Sequence, residues 1–426
     1  MRMKEKIMVG YDLGNRYSQI SYCTYDGKEP ETLSVVAGEE SYNIPTVLCK
    51  RKGVNQWFFG KEAYKHAEEE GSLVTDLVEL ARAGEKVIVE GEEFEPAALL
   101  TLFIRRSLNR LSLIAETDRI GALMFTCEHM DGRMAELMDG IAAGLSLKTK
   151  NIWYQSHVES IYYYTIHQPA ELWQKQVTVF DYITDAVKVY NLEFNRRTTP
   201  VVAFAKEAEY PFLSCGNGMG EEPVAEALGK QLDERFLALL KEVCEGKMIS
   251  SAYLLGSGFK EEWMKESLPY LCRGRRVFQG NNLYSKGACY AMRERISPSE
   301  TGRAHVFLGD DKLKANIGMR VSRRGEDSYY ALLDAGTSWF EAHNSIEFLL
   351  QTDNTFSLVI TPLNGRDIKF AQVTLEGLPL REGAASRLYM EIGMTAEGSI
   401  ALTVEDLGFG EIYPSSNQKW TESFTL

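Results

Sequence analysis

The sequence predicts an α/β domain over residues 1–300 followed by an all-β domain over residues 301–426. Three observations lead there. Strand-type runs alternate with amphipathic helical segments through the first part, the pattern of α/β architecture. The composition shifts near Ile296-Ser297-Pro298-Ser299, where helical periodicity stops. Beyond it, short strand-type runs recur between turn signals, as in an antiparallel β-sandwich.

In order along the chain, Ile7-Met8-Val9 opens a hairpin that turns at Gly14-Asn15 and returns over residues 19–25. Residues 46–49 and 57–59 read as a second strand pair around Lys52-Gly53-Val54-Asn55. A helix is expected from Glu95-Pro96, where proline suits the first turn. Another starts at Asp131, with Met134, Leu137, Met138, Ile141 and Leu145 on one stripe. Residues 156–167 read as helical. Val177-Thr178-Val179-Phe180-Asp181 is a strand, with its hairpin mate over 187–194. A helix is expected over 223–245, then a buried strand at Ala252-Tyr253-Leu254-Leu255 that ends in Gly256-Ser257-Gly258. In the last part, Asp353-Asn354, Asn364-Gly365, Glu376-Gly377 and Glu397-Gly398 mark turns between strands.

The formal net charge of -13 gives a field that repels polyanions, so nucleic acid is not an expected partner. Arg273-Gly274-Arg275-Arg276 is the longest basic stretch and reads as a solvated turn. Seven scattered cysteines without a C-x-x-C pair suit a reducing compartment. No apolar run approaches the ~18 residues of a membrane span, and the N-terminus lacks a signal-peptide core. A cytoplasmic location and no membrane partner are therefore expected. The six histidines form no ligand-spaced pair.

Several motifs, in order, resemble the Hsp70/actin ATPase superfamily. Tyr11-Asp12-Leu13-Gly14-Asn15-Arg16 is similar to its first phosphate loop, and Tyr42-Asn43-Ile44-Pro45-Thr46-Val47 with Phe59-Gly60-Lys61-Glu62-Ala63 to the stretch after it. Leu254-Leu255-Gly256-Ser257-Gly258-Phe259-Lys260 resembles the adenosine motif. Asn281-Asn282-Leu283-Tyr284-Ser285-Lys286-Gly287-Ala288 resembles the helix that closes the domain. His305-Val306-Phe307-Leu308-Gly309-Asp310 sits where that family carries an interdomain linker. Val373-Thr374-Leu375-Glu376-Gly377-Leu378-Pro379 and residues 398–404 resemble later segments of its peptide-gripping sandwich.

The resemblance implies a reduced actin-like, ribonuclease H-like ATPase fold with most of the second lobe's upper subdomain missing. A β-sandwich follows, with no helical lid expected before Leu426. It implies nucleotide contacts from Asp12, Gly14, Asn15, Arg16, Asp181, Gly256, Ser257, Gly258 and Lys260, with ATP or ADP and Mg²⁺ as the associated ligands.

The family pattern is also broken. The second phosphate hairpin is glycine-rich in the family, because backbone amides must approach the anion closely. Here it reads Phe180-Asp181-Tyr182-Ile183-Thr184-Asp185-Ala186, without glycine and with the extra Asp185 carboxylate. A plain hairpin is the favoured reading. Asn15-Arg16 replaces a Thr-Thr pair, and Arg16 either pairs with phosphate or projects to solvent. Ser156 falls on the position of the catalytic acid; Glu159 lies one turn on, with a surface or packing role favoured. His157 suits a general base by chemistry, but packing is its favoured role too. Lys86 matches the catalytic lysine by region alone. Gly216-Asn217-Gly218-Met219-Gly220 resembles the entry to the missing subdomain. Lys260 replaces an arginine that stacks on adenine, and Gly256 and Gly258 serve either nucleotide contact or a tight turn.

In the second domain, Arg320 to Asp327 stands as a polar loop where the family presents apolar residues to peptide. Tyr329, Tyr330, Trp339 and Phe340 read as sandwich core, with an interface as the alternative. The expected function is that of an Hsp70-like, chaperone-related protein with a degenerate nucleotide site and little or no ATP hydrolysis, which binds a protein or peptide. The alternatives are an active Mg-ATPase, with Asp12, Asp181 and Asp185 holding Mg²⁺ through waters, and an actin-like assembly protein.

Overall fold

A computed structural model describes residues 6–26, 29–36, 38–214, 226–259, 262–280, 282–351, 353–363, 367–379, 381, 385–396 and 398–426. Lys260, Asn281, residues 216–220 and residues 223–225 of the expected helix lie outside the described residues. The chain is mixed α/β with several sheets, divided into two compact units. The first comprises residues 1–194 and 205–303, the second residues 195–204 and 304–426.

The first unit holds two sheets of matching plan. In one, the order is Ile152–Ser156, Ile120–Cys127, Ile7–Leu13, Tyr17–Thr24, Glu31–Thr32. The first three strands run parallel, and the third forms an antiparallel hairpin with the fourth. In the other, the order is Arg276–Gln279, Ile249–Leu255, Gln176–Tyr182, Ala186–Asn195 and Val201–Pro211, of which Asn195 and residues 201–204 are counted with the second unit. Again the first three are parallel and the third and fourth form a hairpin. Burial on both faces explains the apolar run Ile7-Met8-Val9 that marked the first strand: Ile7–Leu13 is buried along its whole length, as is Ile120–Cys127, a strand the sequence reading did not single out.

Helices follow the last parallel strand in each case: His157–Ile166 directly after Ile152–Ser156, and Leu283–Ile296 shortly after Arg276–Gln279. These two helices pack on each other. Ser156 is the N-cap of the first, its side chain accepting from Glu159 N at 3.3 Å. That capping role accounts for a serine at this position. Helix Pro96–Leu108 begins at its proline, and Gly132–Leu145 is capped by Asp131, which accepts from Met134 N at 2.8 Å. Helix Glu226–Cys244 buries Leu232, Phe236, Leu239, Leu240 and Val243 on one stripe. Leu48–Arg51 pairs with Trp57–Phe59 and also with a third strand, Gly71–Val74. Helices Lys61–Glu70 and Leu77–Ala83 lie in segments that carried no helix signal of their own. No helix among the described residues is long and apolar enough to cross a membrane.

The second unit contains two four-stranded antiparallel sheets, ordered Glu326–Leu333, Ala315–Arg323, Thr355–Pro362, Lys369–Thr374 and His343–Leu350, Ser386–Ala396, Ser399–Asp406, Lys419–Thr425. Both contribute to one buried cluster, with Ile317, Met319, Leu358 and Val373 from the first and Leu388, Met390, Leu402 and Val404 from the second. Alternate residues of Ser399–Asp406 are buried, the period-two signature of strands with one inward face.

Three expectations need correction here. His305–Phe307 is a strand rather than a linker and runs parallel to Val201–Ala203 within this unit. Arg320 to Asp327 is mostly hairpin; only Arg324 and Gly325, at φ 57° and 85°, form its turn, the left-handed pair that a tight hairpin turn requires. Tyr329 and Tyr330 face solvent at 50% and 40% exposure, and Trp339 and Phe340 are half-buried, so none of the four belongs to the core.

Candidate functional site

A cleft of about 520 Å³ opens in the first unit where the two hairpins come together. Of the expected site residues, Asp12, Gly14, Asn15, Arg16, Asp181, Gly256 and Ser257 line it. Gly258 does not line it, and Lys260 lies outside the described residues.

Each sheet delivers one carboxylate. Asp12 and Asp181 are both the next-to-last residue of their seven-residue strands. Each is held by a side chain from the first turn of the helix that follows its own sheet. His157 Nε2 lies 2.7 Å from Asp12 Oδ1, and Tyr284 Oη donates to Asp181 Oδ2 at 2.8 Å. The His157 and Tyr284 rings then stack, with centroids 3.9 Å apart and planes 8° from parallel. Four side chains distant in sequence thus form one continuous buried array.

Burial pushes the Asp181 carboxyl above its ordinary value of 3.8, while the Tyr284 hydrogen bond and the neighbouring His157 oppose the rise and Asp12 adds to it. Burial, and then the Asp181 charge, hold the Tyr284 phenol well above its ordinary 10. Tyr284 therefore stays neutral and acts as a donor.

Several other lining residues are engaged in internal contacts. The Asn15 side chain donates to Asp76 Oδ1 at 3.0 Å and accepts from Glu79 N at 3.4 Å, so it braces the start of helix Leu77–Ala83. Arg16 is exposed at the mouth. Gly256 has φ 92°, and a Cβ there would sit 2.2 Å from the Tyr182 carbonyl oxygen. A Cβ on Gly258 would sit 2.2 Å from the Tyr182 ring. Ser257 Oγ donates to the Ile183 carbonyl at 3.2 Å. Close packing against the second hairpin thus requires both glycines without any ligand. Tyr182 itself donates to the Leu213 carbonyl at 2.5 Å and packs edge-on against Phe212, Phe259 and Trp263. Tyr182 thus anchors the end of its strand through one hydrogen bond and three ring contacts.

The cleft is acidic. Six carboxylates line it (Asp12, Glu79, Glu128, Asp181, Asp185, Glu209) against three Arg or Lys side chains (Arg16, Arg82, Lys188). Arg82 pairs with Asp131, and Lys188 with Glu128 and Glu209. One further group stands out. Gln19 is the antiparallel partner of Asp12, lines the cleft and is only 4% exposed. Its Nε2 donates to Asn43 Oδ1 at 2.6 Å, while its Oε1 has no partner.

The expected Mg²⁺ fits this lining poorly. Among the described residues no group of three or more His, Cys, Asp or Glu side chains is placed to hold a metal ion, and Asp12 and Asp181 each commit an oxygen to a protein partner. Lys86 pairs with Glu93 at 2.9 Å and does not line the cleft. Glu159 is buried at 3% exposure and does not line it either.

Sequence reasoning missed Gln19, Lys188 and Tyr284 as site residues. Tyr284 had a usable signal, because it stands in the first turn of a helix expected to close the domain. Gln19 and Lys188 follow from hairpin register alone, as cross-strand partners of Asp12 and Asp181.

A search of curated proteins found no match. Residues 312–426 match a profile described as a domain of unknown function, DUF8552. Residues 29–310, well over half of the chain, match the profile described as Family of unknown function (DUF5716) C-terminal, and the chain belongs to that family.

Proposed function

We propose that this chain is a divergent Hsp70-like, chaperone-related protein that binds a protein or peptide partner and hydrolyses little or no ATP. In this reading the two matched sheets of the first unit are the lobes of an actin-like fold, and the two antiparallel sheets over one core are a β-sandwich. The repeated strand order, with an acidic residue at the same place in each first hairpin, supports the lobes.

One observation carries the loss of hydrolysis. Asp12 and Asp181, the carboxylates that would organise a hydrated metal, are held by His157 and Tyr284 instead. Asp185 adds negative charge on the loop that would have to cradle phosphates, and Tyr182 anchors that loop from below. Hydrolysis needs preorganised donors aimed at developing negative charge, and an acidic, glycine-free hairpin offers none.

Phosphate release from Mg-ATP tests the reading. The expected result is turnover no higher than the buffer blank. Mg²⁺-dependent turnover that disappears in Asp12→Asn would overturn it and favour an active ATPase.

A further inference from the structure

Helix Leu283–Ile296 packs directly on the hairpin of Ile7–Leu13 and Tyr17–Thr24. The approach is close because Gly10 has no side chain: a Cβ there would sit 2.1 Å from the Ser285 carbonyl oxygen and 3.0 Å from Cys289 Sγ. Ser21, the cross-strand partner of Gly10, hydrogen-bonds Ser285 with 2.7 Å between the two hydroxyl oxygens. That contact sets a register. Two residues along a strand and four along a helix both return to the same face, after roughly 6.7 Å and roughly 6 Å. Cys23 stands two residues on from Ser21, and Cys289 one helical turn on from Ser285. The two thiols therefore meet in one buried cluster, and they hydrogen-bond each other.

Cys23 is the more reactive of the pair. Its hydrogen bond with Cys289 draws the thiol below its ordinary 9.0 against the effect of burial, and Arg293 adds to the fall. Burial pushes the Cys289 thiol well above 9.0. The thiolate is the attacking form. Cys23 is next to the end of its strand at Thr24, beyond which Tyr25 is 47% exposed, so a small oxidant reaches it when that end opens. Cys49 and Cys244 sit in other buried clusters.

We infer that Cys23 and Cys289 are a reversible oxidation site, closed to an intrachain disulfide by a low-molecular-weight disulfide. The Cys23 thiolate attacks one sulfur of the oxidant and displaces the first small thiolate, which takes up a proton. Cys289 gives up its proton, and its sulfur attacks Cys23 Sγ of the mixed disulfide and releases the second small thiol. Two protein thiols are oxidised and the oxidant is reduced to two thiols. The new bond ties the helix that carries Tyr284 to the hairpin that carries Asp12.

Peptide mapping of the full chain tests this after equilibration with oxidised and reduced glutathione at several ratios and alkylation in denaturant. With oxidised glutathione in excess, the expected result is loss of the Cys23 and Cys289 thiols together, a linked peptide that contains both, and recovery of both thiols in dithiothreitol. Cys23→Ser should remove the linked peptide and leave Cys289 fully alkylated. Full alkylation of both residues in the parent chain under excess oxidised glutathione would overturn the inference. So would glutathione adducts or interchain bonds at these two positions in place of the link.

Discussion

His157 stacks on Tyr284 with ring centroids 3.9 Å apart and planes 8° from parallel, which joins the Asp12 and Asp181 carboxylates into one array. The two rings come from the first turns of two helices that pack on each other, so the array depends on that packing as much as on its own hydrogen bonds.

Removal of one partner from a buried hydrogen bond leaves the other unsatisfied. Asp12→Ala should therefore lower unfolding free energy by about 2 kcal/mol, and Asp12→Asn, which keeps a polar partner for His157, by clearly less. Urea denaturation of the two variants measures the difference. Equal losses would mean that the contact with His157 contributes nothing.

Asp181 gives a pH dependence of defined sign. Its folded-state value is raised above the ordinary 3.8, so the protonated form is favoured in the native state. Its contribution is fully present below about pH 4 and is lost as pH rises through the folded value. Asp181→Asn can still accept from Tyr284 and should flatten that part of the stability–pH profile, with stability at pH 7 equal to or above that of the parent. Denaturation midpoints from pH 4 to 8 provide the check.

Glu294 behaves in the opposite way. It accepts from Ser299 N at 2.7 Å and lies 2.9 Å from His167 Nε2, and although burial works against it, these partners hold its carboxyl below the ordinary 4.5. The stability it contributes is present above about pH 4.5 and is lost as pH falls through the lower folded value. Glu294→Gln should lower stability at pH 7 by about 2 kcal/mol and reduce acid sensitivity. A variant as acid-labile as the parent would contradict this.

Gly256→Ala separates packing from ligand contact. With φ at 92° and the Tyr182 carbonyl 2.2 Å from the new Cβ, it should destabilise the chain by about 3 kcal/mol. Full stability with weakened ligand binding would mean that the glycine serves a ligand instead.

Much of the scaffold was legible in the sequence because it rests on local chemistry. The alternation of Val187 to Phe194, the proline opening Pro96–Leu108 and the Asp131 cap each act within a few residues. The helices Lys61–Glu70 and Leu77–Ala83 were not legible. The first is mostly polar, with Ala63 its one fully buried apolar residue, and the second is only seven residues long and starts from a left-handed Asp76. The altered phosphate hairpins could be read as sequence, since missing glycines are visible without coordinates. Their consequence could not. The pairing of His157 with Asp12 joins residues 145 apart, and that of Tyr284 with Asp181 residues 103 apart, separations at which no periodicity carries information. The same limit hid the exposure of Tyr329 and Tyr330, whose residue type suits either face of a sheet.

Hydrogen–deuterium exchange of the parent and of His157→Ala tests most directly whether the two hairpins are joined through one buried array. Faster exchange in the variant is expected at residues 12–17 and 181–186 together, one segment from each sheet. A change confined to other segments, or to only one of the two hairpins, would contradict the shared array.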